Sequence, residues 1–300
     1  MTSYTAFTTC GDAAAAEALG EALEAHMGAP MGTLTGVGVF ALEDGSDRWE
    51  VGAYFAEAPD TVGLELLAAA HGARPFLVSK LDDRDWVAQV RRELTPVRVG
   101  RFVVHGGHDR ARIPVNLLNL EIEAAMAFGT GRHGSTEGCL AALERLARIG
   151  AVRRPAGRPF RVADIGCGTG VLAMAAARLA PVRAMASDID AVAAQAAQAN
   201  VRANPSRGAV SVLCAPGFRH PRLHAAGPYD LMFLNILAKP LKRLAPQAAR
   251  ASRPGAVAVL AGLLDAQAAE VAAVYRGWRF EPLFRLSRRG WTTLALRRRL

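Results

Sequence analysis

The chain has 300 residues, 51% hydrophobic and 21% charged, an ordinary composition for a globular protein with room for one large core and a smaller one. No secretory pattern opens the sequence and no apolar run approaches the roughly 18 residues of a membrane helix, so the expectation is a cytoplasmic protein without membrane contact. The net charge of +9 hides a split: residues 1–95 hold 6 Arg or Lys against 15 Asp or Glu, net −9, while residues 96–300 hold 30 against 12, net +18.

Residues 1–81 are predicted as strand 4–9, helix 13–27, strand 34–42, strand 50–57, helix 60–71 and strand 75–81. That is the β-α-β-β-α-β order of a ferredoxin-like α+β module, with residues 43–47 supplying the turn between the middle strands and Gly28 and Gly72 at the helix stops. A short charged helix, 82–94, ends before Pro96 and makes residues 82–95 a linker between the halves. Segments 97–104 and 113–120 are read as strands or extended chain, followed by a helix from about residue 136 to 149 with Leu140, Leu143, Leu146 and Ile149 on one face.

From residue 160 the pattern alternates. Strand 160–165, helix 170–180, strand 182–187, helix 191–203, strands 209–214 and 229–234, helix 240–252, strand 256–261 and helix 265–276 follow in turn, as a parallel sheet requires. Segments 278–286 and 291–296, either side of Ser287-Arg288-Arg289-Gly290, close the chain as a β-hairpin.

The motif Asp164-Ile165-Gly166-Cys167-Gly168-Thr169-Gly170 places a glycine-rich turn between an apolar strand and an alanine-rich helix. Without Cβ atoms at 166, 168 and 170 the backbone can turn sharply and approach a ligand closely. The dinucleotide fingerprint is G-x-G-x-x-G with a pyrophosphate at the helix start. Here the spacing is G-x-G-x-G led by an acid, which resembles motif I of S-adenosylmethionine-dependent methyltransferases and suits a cationic ligand without phosphate. Eighteen residues beyond Gly170, Asp188 ends the next strand, where an acid can accept both hydroxyls of a ribose. One acid of the Asp188-Ile189-Asp190 pair caps the following helix instead, and Asp190, directly before Ala191, is better placed for that.

Four segments together carry a more specific resemblance. Phe128-Gly129-Thr130-Gly131-Arg132-His133-Gly134-Ser135-Thr136, the glycine loop, Asp188-Ile189-Asp190 and Asn235-Ile236-Leu237-Ala238 follow the order and spacing of the ribosomal protein L-eleven methyltransferases. The resemblance covers essentially the whole chain. It implies a class I methyltransferase domain over residues 96–300, Rossmann-like, with a seven-stranded, mostly parallel sheet and an antiparallel last strand. It also implies that residues 1–81 form a substrate-recognition domain. Three positions depart from the family pattern: Ser135 replaces the first of two threonines, Thr169 stands where serine is frequent, and Val90 occupies the second position of a Trp-x-x-x-Trp begun by Trp86.

The implied cofactor is S-adenosyl-L-methionine, with contacts at Thr136, Gly166, Asp188 and Asn235 and further cofactor-binding positions at Phe128, Thr130, Asp164 and Gly168. Asn235 sits where amine methyltransferases carry Asn or Asp beside the reacting nitrogen, and its amide oxygen can accept from an incoming amine. His133 is either a general base or a positioning residue of the loop. The implied substrate is large-subunit ribosomal protein L-eleven, trimethylated on lysine side chains and its N-terminal amine by a monomeric enzyme. Contact with ribosomal RNA is not required.

Two other readings stay open at this point. The +18 half reads as codon bias, since all but 3 of the 36 basic residues are Arg, or as a surface for nucleic acid, which favours an RNA methyltransferase. Against that, the acidic N-terminal module lacks the basic and aromatic platform of an RNA-binding domain. A protein that holds the cofactor without turnover is the remaining alternative. Cys10, Cys139, Cys167 and Cys214 lack C-x-x-C spacing, which argues against a disulfide frame and a zinc site, so no metal is expected.

Overall fold

The computed structural model describes residues 3–28, 33–41, 48–81, 96–122, 134–153 and 156–299. The chain divides into two compact units, Met1–Glu93 and Leu94–Leu300. The turn expected at 43–47, the linker 82–95 with Trp86 and Val90, and Phe128, Thr130 and His133 lie outside the described residues. No described helix is long and apolar enough to cross a membrane.

The first unit runs β1 (Ser3–Cys10), α1 (Ala13–Met27), β2 (Leu34–Ala41), β3 (Trp49–Phe55), α2 (Thr61–Ala70) and β4 (Leu77–Leu81). Its strands pair antiparallel in the order β2-β3-β1-β4, so the first and third strands are central, as in a ferredoxin-like sheet. Asp12 caps α1 by accepting from the Ala15 N–H at 2.8 Å, and Asp60 caps α2 by accepting from the Val62 N–H at 3.1 Å. Leu19, Leu23 and Leu64 from the helices meet Ala6, Val51, Ala53 and Phe55 from the sheet in one buried cluster.

The second unit opens with β5 (Val97–Val99), β6 (Phe102–His105) and β7 (Leu118–Glu121), a three-stranded sheet of its own. Residues 97–104, expected as one extended segment, fold back as a β5–β6 hairpin because Gly100 adopts φ 58°. Then come α3 (Gly134–Arg148), β8 (Phe160–Ile165), α4 (Val171–Leu179), β9 (Val182–Asp188), α5 (Ala191–Ala203), β10 (Ala209–Cys214) and the short α6 (Pro221–Ala226). They are followed by β11 (Tyr229–Asn235), α7 (Ala238–Ala251), β12 (Ser252–Leu264), α8 (Ala268–Gly277), β13 (Phe280–Arg288) and β14 (Trp291–Arg298).

These strands form a seven-stranded sheet in the order β10-β9-β8-β11-β12-β14-β13, parallel from β10 to β12 and antiparallel at β12/β14 and β14/β13. This is the expected class I methyltransferase sheet. Alternation along the central strands fills both faces. Val162, Leu231, Phe233, Val257 and Val259 enter one core with α3 and α4, while Ile165, Met232, Leu234, Ala258 and Leu260 enter the other with α7 and α8. From β8 the chain winds outward to β9 and β10, and from β11 it winds the other way to β12. The strand order therefore reverses between β8 and β11, and a crevice opens beyond their carboxyl ends.

Candidate active site

The loop leaving β8 is built from three left-handed glycines, Gly166 (φ 72°), Gly168 (φ 51°) and Gly170 (φ 77°). Two N–H groups, of Gly166 and Cys167, donate to the Ser187 carbonyl at 2.8 and 3.0 Å, which clips the loop to the end of β9. A Cβ at Gly166 would stand 2.3 Å from Ile236 Cγ2, so only glycine lets the loops after β8 and β11 approach this closely.

Asp188, at the carboxyl end of β9, is half-buried and held on both oxygens. Gly168 N–H donates to Oδ2 at 2.8 Å and Asp190 N–H to Oδ1 at 3.1 Å. Each carboxylate oxygen keeps a lone pair for a further donor. Asp190 caps α5 by accepting from the Val192 N–H at 2.9 Å, so the two acids of the pair have separate tasks.

A cavity of about 240 Å³ brings together Thr136, Gly166, Gly168, Asp188, Asn235 and Ile236, with Val171 and Leu172 among its apolar lining. Five expected site residues thus meet in one place although they are up to 99 positions apart, the separation of the Asn235 Nδ2 to Thr136 Oγ1 hydrogen bond at 3.5 Å. Asn235 Oδ1 is buried and has no hydrogen-bond partner among the described residues. A buried acceptor without a donor is costly, so the site is built for a ligand N–H or O–H at that atom.

Asp164 corrects an expectation. It is wholly buried beneath the loop, outside the cavity lining, and its Oδ2 accepts from the Ala173 N–H of α4 at 2.9 Å. Its strand is central and covered on both faces, so the carboxyl that leads the motif faces the interior. Burial pushes it up to about 7, the bond from Ala173 opposes the rise, and the charge of Asp188 adds to it. Burial also raises the Cys167 thiol, which keeps it neutral and unreactive.

The sequence reading missed the second half of the site. An adjoining cavity of about 460 Å³ is lined by Ser135, Leu237, Pro240, Gly262 and Trp291, and shares Asn235 and Ile236 with the first. Trp291 lies against the start of α3, where a Cβ on Gly134 would stand 2.9 Å from its Cδ1. Gly262 holds φ 79° within β12, and a Cβ there would stand 2.6 Å from the Ile236 carbonyl oxygen. A glycine inside a strand pattern and a tryptophan directly after a hairpin turn were the available signals.

Comparison with known proteins agrees with this geometry. The family described as Ribosomal protein L11 methyltransferase (PrmA) matches residues 16–299. This chain belongs to the ribosomal protein L11 methyltransferase family. It is similar to the ribosomal protein L11 methyltransferase of Bradyrhizobium diazoefficiens, 44% identical over 264 residues that cover 87% of each chain. The corresponding Rhodopseudomonas palustris protein is 43% identical over 262 residues, 86% of each chain. A ribosomal protein L11 methylase from Lactobacillus delbrueckii subsp. bulgaricus, solved by crystallography, superposes with a TM-score of 0.58 at 22% identity, covering 68% of this chain and 99% of that one. That likeness speaks to the fold.

Proposed function

We propose that this chain transfers methyl groups from S-adenosyl-L-methionine to amines of ribosomal protein L11, trimethylating lysine side chains and the N-terminal amine. Family membership supports the activity and the protein substrate. The single structural observation that carries the amine chemistry is Asn235 Oδ1, a buried acceptor without a partner among the described residues, where the two cavities meet.

When bound, the cofactor supplies a methyl group on a sulfonium, open to in-line displacement by a nitrogen lone pair. Asp188 accepts the ribose hydroxyls on the lone pairs left free by Gly168 and Asp190. Gly166 and Gly168 present backbone without side chains to the same ligand. In the adjoining cavity Asn235 Oδ1 accepts one amine N–H and fixes the direction of the lone pair.

A lysine with a pKa of about 10.4 is neutral in only roughly one molecule in 2,500 at pH 7, so the site must favour the uncharged amine. Trp291, Leu237, Pro240 and Ile236 give the cavity an apolar wall, which disfavours the charged amine once the substrate itself fills the cavity. No strong base is then required, and His133 acts as a positioning residue alongside Phe128 and Thr130. The acidic N-terminal unit recognises the substrate, holding a basic protein loosely enough for several amines to enter in turn. The enzyme works as a cytoplasmic monomer and needs no RNA for transfer.

The test is incubation of the full chain with methyl-labelled cofactor and either purified L11 or ribosomal RNA. Label is expected in L11, on lysine and N-terminal amines, and Asn235→Ala should lower kcat about 100-fold through misalignment. Label confined to RNA, or full turnover by the variant, would refute the assignment.

A further inference from the structure

The crevice lies at the carboxyl edge of the seven-stranded sheet, and the opposite, amino edge carries arginine on strand after strand. Arg183 is the second residue of β9, Arg207 lies just before β10, and Arg297 on β14 is register partner of Val257 on β12 and Glu281 on β13. Arg202, Arg250 and Arg276 stand in the last turns of α5, α7 and α8, the helices that return the chain to this same edge. All six are exposed. None has an ion-pair partner among the described residues.

The acids at this edge are already occupied. Asp230 is held by both terminal guanidinium nitrogens of Arg158, at 2.6 and 2.7 Å, with Arg253 at 3.7 Å, and Glu281 is paired with Arg299. Arg161 and Arg183 are register partners on adjacent parallel strands, so their side chains leave the same face of the sheet, like charge beside like charge. Arg161 is tied to the Gly227 carbonyl and cannot relieve the repulsion by turning away freely.

The helix macrodipole accounts for a cation at a helix C-terminus, which covers Arg202, Arg250 and Arg276. It does not account for Arg183, Arg207 and Arg297, which stand on or beside strands. A genome rich in arginine codons explains why the residues are Arg rather than Lys, not why so many unpaired cations share one edge.

We propose that the amino edge of this sheet is a binding surface for the phosphate backbone of RNA, separate from the methyl-transfer crevice. Guanidinium groups meet phosphate through paired N–H donors, and release of counterions drives such binding. Seven strands about 4.8 Å apart make an edge roughly 29 Å long. Because the sheet is twisted, that edge is a curved line, which follows one polymer chain better than it follows a flat bilayer. Binding there leaves the crevice free, so RNA held at this edge is not the methyl acceptor.

The experiment titrates the full chain against a short labelled double-stranded RNA between about 50 and 200 mM salt and repeats it with Arg183→Gln, Arg207→Gln, Arg297→Gln combined. The triple variant should bind at least tenfold more weakly at low salt, and the slope of log affinity against log salt should fall by about 2–3. Its melting temperature and its methyl transfer to L11 should stay unchanged. If the triple variant does not fold, each single substitution should lower the slope by about one. Three results would overturn the proposal: unchanged RNA binding in these variants, loss of binding instead on Arg219→Gln, Arg222→Gln, Arg243→Gln, which follow the carboxyl ends of β10 and β11, or wild-type binding to phosphatidylserine vesicles without binding to RNA.

Discussion

Asp164 shows how one carboxyl can link the site to the stability of its unit. Its folded pKa of about 7 lies above the roughly 3.9 of an unfolded aspartate. Between those values the folded chain keeps a proton that the unfolded chain releases, so this residue's contribution to stability falls as pH rises from about 4 to about 7 and then levels off. The titratable groups around it are the thiols of Cys139 and Cys167, both kept neutral by burial, and the carboxylate of Asp188. Asp164→Asn keeps an acceptor for the Ala173 N–H and removes the titration. Melting at pH 5 and pH 8 should therefore show a smaller decline in the variant than in the wild type, and parallel curves would contradict this. The acid was visible in the sequence at the head of its motif, but its depth was not. Burial is decided by packing: α3 and α4, which flank β8 in sequence, close over it once it is seated between β9 and β11, and β11 comes from a distant part of the chain.

At the scale of elements, legibility followed local signals. Helix α1 and helix α5 begin where the sequence placed them because Asp12 and Asp190 cap them, they end at Gly28 and Asn204, and β8 and β10 match because turn residues bound each apolar run. Helix α6, six residues long, is too short to show a helical period and was missed. Strand β12 outgrew its expected range of 256–261 at both ends, and Pro254 and Gly255 lie within it. Gly166 and Asp188 were legible from the glycine turn and the acid that ends the next strand, and Thr136 and Asn235 from the family motifs to which they belong. Gly262 and Trp291 were not, because they become neighbours of Asn235 only through the strand order β11-β12-β14. Gly262 ties this part of the sheet to the crevice. Gly262→Ala forces a strained φ and a collision with the Ile236 carbonyl, and strain of this kind costs about 1–3 kcal/mol. A lower melting temperature and a loss of methyl transfer are expected, while a fully active variant of unchanged stability would contradict the fit.

For the whole molecule, the proposed function gives the two sides of the charge split different partners. Residues 1–95 carry −9, and on α1 the carboxylates of Glu17, Glu21 and Glu24 recur at helical spacing on exposed positions. Converting these three to Lys should raise KM for the protein substrate and leave kcat nearly unchanged, because they act on encounter and not on alignment. An unchanged KM would refute their part in recognition. All of this depends on one crevice that holds the methyl donor beside Asn235. Calorimetric titration of the full chain with S-adenosyl-L-methionine tests that most directly. One binding site is expected, with affinity lowered about 10–100-fold in Asp188→Ala through loss of charge-assisted hydrogen bonds. No heat from the wild-type chain, or equal affinity in the variant, would contradict it.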